Sequence, residues 1–244
     1  MKQTNLTILE NTRLADGIYR LRLAGDTSAI TAPGQFVNLK LSGFFLRRPI
    51  SVCDWENGKL TLIYKVLGHG TEAMTGMAPG TELDVLTGLG NGFDVSRGGE
   101  HPLLVGGGVG IPPLYGLAKR LTAQGRRVTA VLGFNRKSEI FLAEEFRALG
   151  AEVVIATADG SAGIHGLVTD GMAAVSDYTY LYTCGPEPML KAVYDACKTS
   201  GQFSFEERMG CGFGACMGCS CKTKYGNKRI CKDGPVLEKE EIVW

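Results

Sequence analysis

The spacing of hydrophobic and polar positions changes twice along the chain. In the first hundred residues, short runs rich in Val, Ile, Leu, Thr and aromatic side chains alternate with turn residues. Runs of this kind are typical of strands in an antiparallel barrel or sandwich. The pattern predicts strands at residues 4–10, 18–23, 35–41 and 59–65.

From His101 onward, short apolar strands alternate with helical stretches. The predicted strands are LLVGG, VTAVLGF, EVVIAT and TYLYTCG, and the predicted helices cover residues 113–124, 142–149 and 189–200. Alternation of strand and helix indicates a parallel sheet covered on both faces.

After residue 205 the chain becomes rich in glycine and cysteine, with little apolar periodicity. A segment this short buries little core and usually needs a metal or another staple. The pattern therefore predicts three parts: an antiparallel β-barrel at 1–98, an α/β domain with a parallel sheet at 99–205, and a small C-terminal segment at 206–244.

Composition narrows the class of protein. Hydrophobic residues make up 44% of the 244 positions, charged residues 21%, and the formal net charge is +1. These values are typical of a globular chain and exclude disorder, and they give no general attraction to nucleic acid or to a membrane surface. The amino-terminal residues lack the apolar run of a signal peptide, so we expect a cytoplasmic protein. Eight cysteines in such a chain indicate metal or redox chemistry rather than disulfides.

Four of these cysteines have the spacing C-x4-C-x2-C-x11-C: Cys211, Cys216, Cys219 and Cys231. This is the spacing of a plant-type [2Fe–2S] site, and the small residues between the first two let backbone N–H groups point at sulfur. A structural zinc site is the alternative, although only Cys216 and Cys219 form the short C-x2-C knuckle that zinc modules repeat. Cys221 can in principle replace Cys219 as a ligand. We expect Cys53 and Cys197 to be ordinary buried residues.

Three further segments are candidates for phosphate or cofactor binding. Gly106, Gly107, Gly108 and Gly110 follow a strand and open a helix, whose free N–H groups suit a pyrophosphate. In GHGTEAM, Gly70 and Thr71 stand where Thr71 can cap a short helix. In RRPISV, Arg48 can bind a phosphate and Ser51 can donate to a ring nitrogen. Each segment alone is also compatible with a plain turn or a surface strand.

The order RPIS, GHGT, GGGVGIPP, TCGPEPM and four cysteines resembles the ferredoxin–NADP reductase superfamily with an added [2Fe–2S] segment. Nearly the whole chain, and the tail EERMGCGFGACMGCSCKT most specifically, resembles the electron-transfer subunits of NAD-linked, class 1B dihydroorotate dehydrogenases. Members of the wider superfamily often carry a tyrosine that stacks on the flavin where this chain has Ile50.

The resemblance implies residue roles. FAD would be bound by Arg48, Pro49, Ile50 and Ser51, by the backbone of Ile63, Tyr64 and Lys65, and by Gly70 and Thr71. NAD, as a substrate, would meet Gly106, Gly107, Gly108, Gly110, Cys184, Gly185 and Pro186, with Cys184 near the nicotinamide. Cys211, Cys216, Cys219 and Cys231 would hold the cluster. Asp159, after the predicted strand at 152–157, would favour NAD over NADP because a carboxylate repels a 2′-phosphate. Arg136 and Lys137 are the competing signal for NADP.

The resemblance also implies a function. Electrons would pass from dihydroorotate to FMN in a partner catalytic subunit, then through the cluster and FAD to NAD, in pyrimidine biosynthesis. Two copies of each subunit would form a heterotetramer, and we expect no dihydroorotate site on this chain. The alternative is an NAD(P)H–ferredoxin reductase-type subunit of another redox complex, such as a glutamate synthase-like, sulfide dehydrogenase or hydrogenase complex.

Overall fold

Six antiparallel strands close into a barrel in the computed structural model, which describes all 244 residues. Their order around the barrel is β1-β2-β5-β4-β3-β6. The strands are β1 (Lys2–Ala15), β2 (Ile18–Ala24), β3 (Phe36–Leu39), β4 (Arg48–Glu56), β5 (Lys59–Lys65) and β6 (Glu82–Leu89). The predicted barrel is confirmed, although the pattern missed β6 and gave β4 only as a segment on or near a strand.

The barrel interior is filled by alternate residues of its strands. Leu6 and Ile8 of β1, Leu21 and Leu23 of β2, and Val85 of β6 are buried in one apolar cluster. This period of two is the pattern that predicted the strands. A short helix, α1 (His69–Thr75), follows β5, and its Met74 is buried in the same apolar cluster.

The second sheet has seven strands in the order β10-β9-β8-β7-β11-β12-β15. Its parallel strands are β7 (Pro102–Gly107), β8 (Thr129–Phe134), β9 (Glu152–Thr157), β10 (Ile164–His165), β11 (Tyr180–Cys184) and β12 (Gly201–Ser204). The helices are α2 (Ile111–Ala123), α3 (Ala143–Ala148), α4 (Val168–Ala173) and α5 (Glu187–Ala196). The predicted parallel sheet is confirmed. The predicted helix at 189–200 ends at Ala196, because the chain must reach β12 at Gly201.

Both faces of this sheet are covered, as a parallel sheet requires. Leu104 of β7 faces one side with α2 and α3, whereas Leu103 and Val105 face the other side with α4 and α5. No helix of the structure is long and apolar enough to cross a membrane.

The carboxyl-terminal segment is packed more tightly than its composition suggests. It contains a hairpin of β13 (Ser220–Thr223) and β14 (Gly226–Arg229), then β15 (Val236–Glu238), which pairs antiparallel with β12. Ile230, Leu237 and Ile242 are buried in the same cluster as the sheet. The expectation of little core was wrong because these residues share a core that the preceding domain supplies.

The helix α2 joins the sheet to the barrel. Lys119 forms ion pairs of 2.9 and 3.0 Å with Asp54 and Glu56 at the end of β4. The guanidinium of Arg120 lies 3.6 Å from the ring centroid of Trp55. The helix that starts at the glycine-rich loop is therefore fixed to the strand that starts at Arg48.

Candidate functional site

Arg48 and Gly70, which are far apart in sequence, lie against each other. A Cβ placed on Gly70 would be 2.1 Å from Nε of Arg48 and 2.7 Å from its Cζ. The guanidinium of Arg48 therefore packs directly against the backbone at the start of α1. The structure thus brings the RPIS and GHGT segments together, as a shared phosphate site requires.

Two neighbouring arginines have different surroundings. Arg47 makes a bidentate ion pair with Asp84, with the closest contact at 2.9 Å. Arg48 has no carboxylate partner in the structure; it donates to the Leu46 carbonyl at 2.6 Å and lies 4.8 Å from the centroid of the Phe44 ring. The charge of Arg47 is neutralised within the chain, and the charge of Arg48 remains for an anionic ligand.

Thr71 caps α1 from inside the helix rather than from its first position. Gly68 is the N-cap residue, and Thr71 is the third residue of the helix. Its hydroxyl accepts from the N–H groups of Leu67 and Gly68 at 2.9 and 3.3 Å and donates to the Gly68 carbonyl. The predicted capping role holds, with the side chain reaching backward as in the second half of a capping box.

The first four residues of β4 pair only with β3, because the ladder with β5 begins at Val52, and they form an edge at this end of the barrel. Arg48, Pro49, Ile50 and Ser51 are all half-buried, whereas Val52 and Cys53 are buried. Side chains on alternate faces of a strand are seldom all half-exposed unless a groove runs along it. This arrangement fits a planar ligand laid along the strand.

Beside this edge, β5 supplies backbone rather than side chains. The Tyr64 ring is buried in the barrel, stacks on Tyr19 at 5.7 Å, and its hydroxyl donates to Asn11 at 3.1 Å. Burial raises the pKa of Tyr64 to about 12. Ile63 packs into the core that α2 shares, and Lys65 is half-buried. The Tyr64 side chain is therefore engaged within the barrel, and a cofactor contact through its main chain stays a prediction.

The two predicted nucleotide loops meet at the carboxyl ends of β7 and β11. A Cβ on Gly110 would lie 2.2 Å from the Cys184 carbonyl oxygen. Cβ atoms on Gly107 and Gly185 would lie 2.6 and 2.5 Å from the side chain of Met189. Gly108 has φ +52° and open space beside its Cα. The close backbone at Gly110 therefore requires glycine, and the Met189 side chain packs tightly on Gly107 and Gly185. The turn at Gly108 has an open side that can receive a ligand.

Cys184 lies at this junction, next to Gly185 and Pro186. The residue is half-buried. Burial of its thiol raises the pKa to about 12, and the hydrogen bond with Ser204, which lowers the pKa, only partly offsets this effect. The group is a neutral thiol at physiological pH. The carboxyl edge of a parallel sheet is also where nucleotides bind in this class of fold.

Asp159 follows β9 and is exposed. Its carboxylate accepts from the backbone and the hydroxyl of Ser161 at 2.9 and 2.6 Å, and these bonds lower its pKa. Arg136 is paired with Glu139 of its own turn at 3.0 Å. Arg136, which could otherwise bind the 2′-phosphate of NADP, is thus already paired with a carboxylate.

The four predicted ligand cysteines form two pairs. The Cys211 thiol is within hydrogen-bonding reach of Cys216, and the Cys231 thiol is within reach of Cys219. No three His, Cys, Asp or Glu side chains are grouped to hold one metal ion. Two pairs suit a [2Fe–2S] cluster, in which each iron takes two thiolates.

Backbone N–H groups point at these sulfurs. Ala215 and Cys216 donate to Sγ of Cys211 at 3.3 and 3.5 Å, and Cys231 donates to Sγ of Cys219 at 3.4 Å. Burial opposes ionisation of Cys211, but the bonds from Cys216 and Phe213 outweigh it and lower its pKa to about 6. Gly212 and Gly214 have φ of +78° and +93°, which the loop needs to turn its N–H groups inward. The residues present fit a thiolate-bound cluster.

The remaining cysteines lie apart from these pairs. Cys221 is on β13, and burial, followed by the charge of Glu207, raises its pKa. Cys53 and Cys197 are buried, as predicted. The structure therefore favours Cys219 over Cys221 as the cluster ligand that is paired with Cys231.

The sequence analysis missed Asn38 of β3. It is buried, its Nδ2 donates to the Cys211 carbonyl at 3.4 Å, and it pairs across the ladder with Pro49. The available signal was a single polar residue between Val37 and Leu39 in an apolar strand, which by alternation alone indicates a solvent-facing position.

Comparisons with known proteins agree with this geometry. A model of the oxidoreductase NAD-binding domain matches residues 104–195. A solved chain of the NADH-dependent reduced ferredoxin-NADP oxidoreductase superposes with a TM-score of 0.90 at 30% identity, covering 98% of this chain and 90% of that one. Barrel, sheet and nucleotide loops define an NAD-linked oxidoreductase with the ferredoxin–NADP reductase fold.

The carboxyl-terminal segment identifies the family. Residues 206–243 match the iron-sulfur cluster binding domain of dihydroorotate dehydrogenase B. The dihydroorotate dehydrogenase B (NAD(+)) electron transfer subunit of Shouchella clausii is 45% identical, covering 99% of this chain and 98% of that protein. Its counterpart in a Geobacillus species is also 45% identical, covering 100% and 99%. The chain belongs to the family of dihydroorotate dehydrogenase B electron transfer subunits.

Proposed function

We propose that this chain carries electrons from an FMN-containing dihydroorotate dehydrogenase subunit, through a [2Fe–2S] cluster and FAD, to NAD in pyrimidine biosynthesis. One observation carries the proposal: β4 leads from the half-buried edge at Arg48 to the contact with α2, while its neighbour β3 contacts the cysteine loop. A single strand pair thus contacts the cysteine loop and the helix that begins at the glycine-rich loop.

In this proposal each segment binds one part of the cofactors. Arg48, Gly70 and Thr71 bind the FAD pyrophosphate, because Arg48 has no carboxylate partner and lies across the start of α1. Pro49, Ile50 and Ser51, with the backbone of Ile63, Tyr64 and Lys65, line the flavin ring. Bound FAD would exchange single electrons with an iron–sulfur cluster and hydride with NAD.

At the nucleotide site, the glycines of the first loop place NAD against the amino end of α2, where the positive end of the helix dipole favours a pyrophosphate. Gly106, Gly107, Gly108 and Gly110 form this loop, and Cys184, Gly185 and Pro186 form the opposite wall. Cys184 stays protonated and so adds no charge beside the nicotinamide. Asp159 accepts hydrogen bonds from a free 2′-hydroxyl and repels a 2′-phosphate.

The partner subunit would dock on the face that carries the cysteines. Phe213 and Met217 are exposed on the cysteine loop, and Phe45 is fully exposed in the loop between β3 and β4. Exposed apolar groups of this size are typical of interaction surfaces. We propose a heterotetramer with two copies of each subunit, with the dihydroorotate site on the partner. The cytoplasmic location stays a prediction.

A second candidate function is a reductase subunit of another redox complex that exchanges electrons with ferredoxin. The 0.90 TM-score to the NADH-dependent reduced ferredoxin-NADP oxidoreductase favours this candidate. A search for an FMN-barrel dihydroorotate dehydrogenase encoded beside this chain, followed by co-purification of the two, separates the candidates. Recovery of this chain with a ferredoxin-linked enzyme instead would support the second.

The cofactor content gives the direct test. We expect the purified full chain to contain one FAD, with two irons and two acid-labile sulfides. Cys216→Ser should remove the absorption of the cluster, whereas the matched variant Cys221→Ser should keep it. Stoichiometric zinc without labile sulfide would contradict the proposal.

A further inference from the structure

Strand β3 is buried on both faces, which is unusual for a strand of a small barrel. Val37 and Leu39 point into the barrel interior. Phe36 instead packs in the hydrophobic core that also includes Cys219 and Cys231. By alternation, Asn38 points to the same outer side as Phe36. The cysteine segment therefore covers the outer face of β3 at two positions, Phe36 and Asn38.

The register of the ladder places these two residues beside the proposed flavin edge. Phe36 pairs with Ser51, and Asn38 pairs with Pro49. Directly opposed residues of an antiparallel pair point to the same side of the sheet. Phe36 and Asn38, which face the cysteine segment, therefore lie side by side with Ser51 and Pro49, which are proposed to line the flavin.

Asn38 makes the polar contact between the two. Its Nδ2 donates to the Cys211 carbonyl at 3.4 Å, and a Cβ on Gly212 would lie 2.4 Å from the same nitrogen. The backbone of the cysteine loop is thus seated directly on this carboxamide. On the strand side, the backbone oxygen of Asn38 accepts from Arg47 at 3.4 Å.

The other atom of the carboxamide has no partner in the chain. Oδ1 of Asn38 is buried and accepts no hydrogen bond, and the residue is 1% exposed. A buried acceptor without a donor costs free energy, so a purely structural role would be better served by an apolar residue. A donor that arrives with a bound cofactor would satisfy this oxygen.

We propose that Asn38 is a positioning residue for electron transfer between the cluster and the flavin. Its carboxamide holds the Cys211–Gly212 backbone against the strand pair that carries Pro49 and Ser51, and so fixes the separation of the two cofactors. The proposal rests on the proposed function, because it presumes that both cofactors bind where their residues lie.

The test uses the full chain purified with its cofactors and three variants. Asn38→Leu keeps the size of the side chain but removes its hydrogen bonds, and Asn38→Asp keeps the shape but removes the donor to Cys211. Thr87→Val is the matched control: Thr87 is also buried, and its hydroxyl donates to the Lys2 carbonyl within the barrel at 3.2 Å.

Two readouts separate positioning from folding. Anaerobic stopped-flow mixing with NADH resolves flavin reduction from the later cluster reduction, and electron paramagnetic resonance reports the surroundings of the reduced cluster. Cluster reduction should be slower than in the wild type in both Asn38 variants, because the Cys211 carbonyl loses the hydrogen bond that holds it to β3. Flavin reduction should be unchanged, and the cluster spectrum should shift. Thr87→Val should match the wild type in all three.

Wild-type cluster spectra and wild-type cluster reduction rates in Asn38→Leu would overturn the proposal. If Asn38→Leu does not fold, Asn38→Asp decides by the same criteria. A wild-type chain that contains no flavin or no labile sulfide would instead overturn the proposed function, so the two failures are distinguishable.

Discussion

Replacing Arg47 and Arg48 by methionine, one at a time, gives the most direct test of the FAD site. Arg48→Met and Arg47→Met remove the same charge from consecutive residues and keep most of the aliphatic stem. In the structure, only Arg47 has a carboxylate partner, Asp84 at 2.9 Å. The two substitutions should therefore affect different properties of the protein.

The magnitude for Arg48 follows from its contacts. A hydrogen bond to a charged group contributes about 1.5–3 kcal/mol, which corresponds to a roughly ten- to 150-fold change in Kd. Arg48 already donates to the Leu46 carbonyl and lies over the Phe44 ring, so part of its capacity is used within the chain. We therefore expect the lower half of that range for the loss of FAD affinity.

Arg47→Met should instead lower stability, because it leaves the partly buried carboxylate of Asp84 with only the Gln3 amide as a side-chain partner. The loss should be about 1–3 kcal/mol, or several degrees in Tm for a chain of this size. FAD affinity per folded molecule should change little.

The assay is titration of FAD into each apoprotein by flavin fluorescence, with a thermal unfolding curve of the same samples. If Arg48→Met bound FAD as tightly as the wild type, the assigned role of Arg48 would be wrong. If both variants lost affinity equally, general positive charge rather than the Arg48–Gly70 contact would explain binding.

Three further predictions concern the nucleotide loops and the barrel. Gly110→Ala should destabilise the chain by about 1–3 kcal/mol, since the new Cβ would meet the Cys184 backbone oxygen; a Tm within a degree of wild type would contradict the packing. Asp159→Arg should narrow the preference for NADH over NADPH, measured as kcat/KM with an artificial acceptor, and an unchanged ratio would show that another residue discriminates. Burial raises the pKa of Tyr64 to about 12, so its contribution to stability is complete below about pH 10 and is lost as the pH rises from about 10 to 12. Urea unfolding of Tyr64→Phe should show a weaker alkaline loss than the wild type, and identical curves would exclude this group as a cause.

The sequence predicted those parts of the site that local chemistry determines. The spacing of Cys211 to Cys231, the glycines after β7 and the RPIS and GHGT segments each have a local pattern, and their order along the chain indicated the fold. Arg48 and Gly70 belong to separate local patterns, which the resemblance assigned to one pyrophosphate, and they are in contact in the structure.

The missed parts depend on tertiary neighbours. β15 is three residues long and becomes a strand only because β12 offers an edge to pair with. α4 has six residues, includes Gly171 and begins after Leu167, so it lacks a sequence signal for a helix start. Asn38 looks like a solvent-facing residue of a strand until the cysteine segment is seen to cover it.

The pairing of β15 with β12 also has a consequence for the fate of the chain in the cell. All four residues of β12 are buried, and on its outer side its backbone bonds to β15. Without β15, the nucleotide sheet would end in an open strand edge, which is a template for association with another copy. A chain whose cysteine segment fails to fold would therefore tend to aggregate, and supply of iron and sulfide during synthesis would affect how much protein survives as well as how much is active.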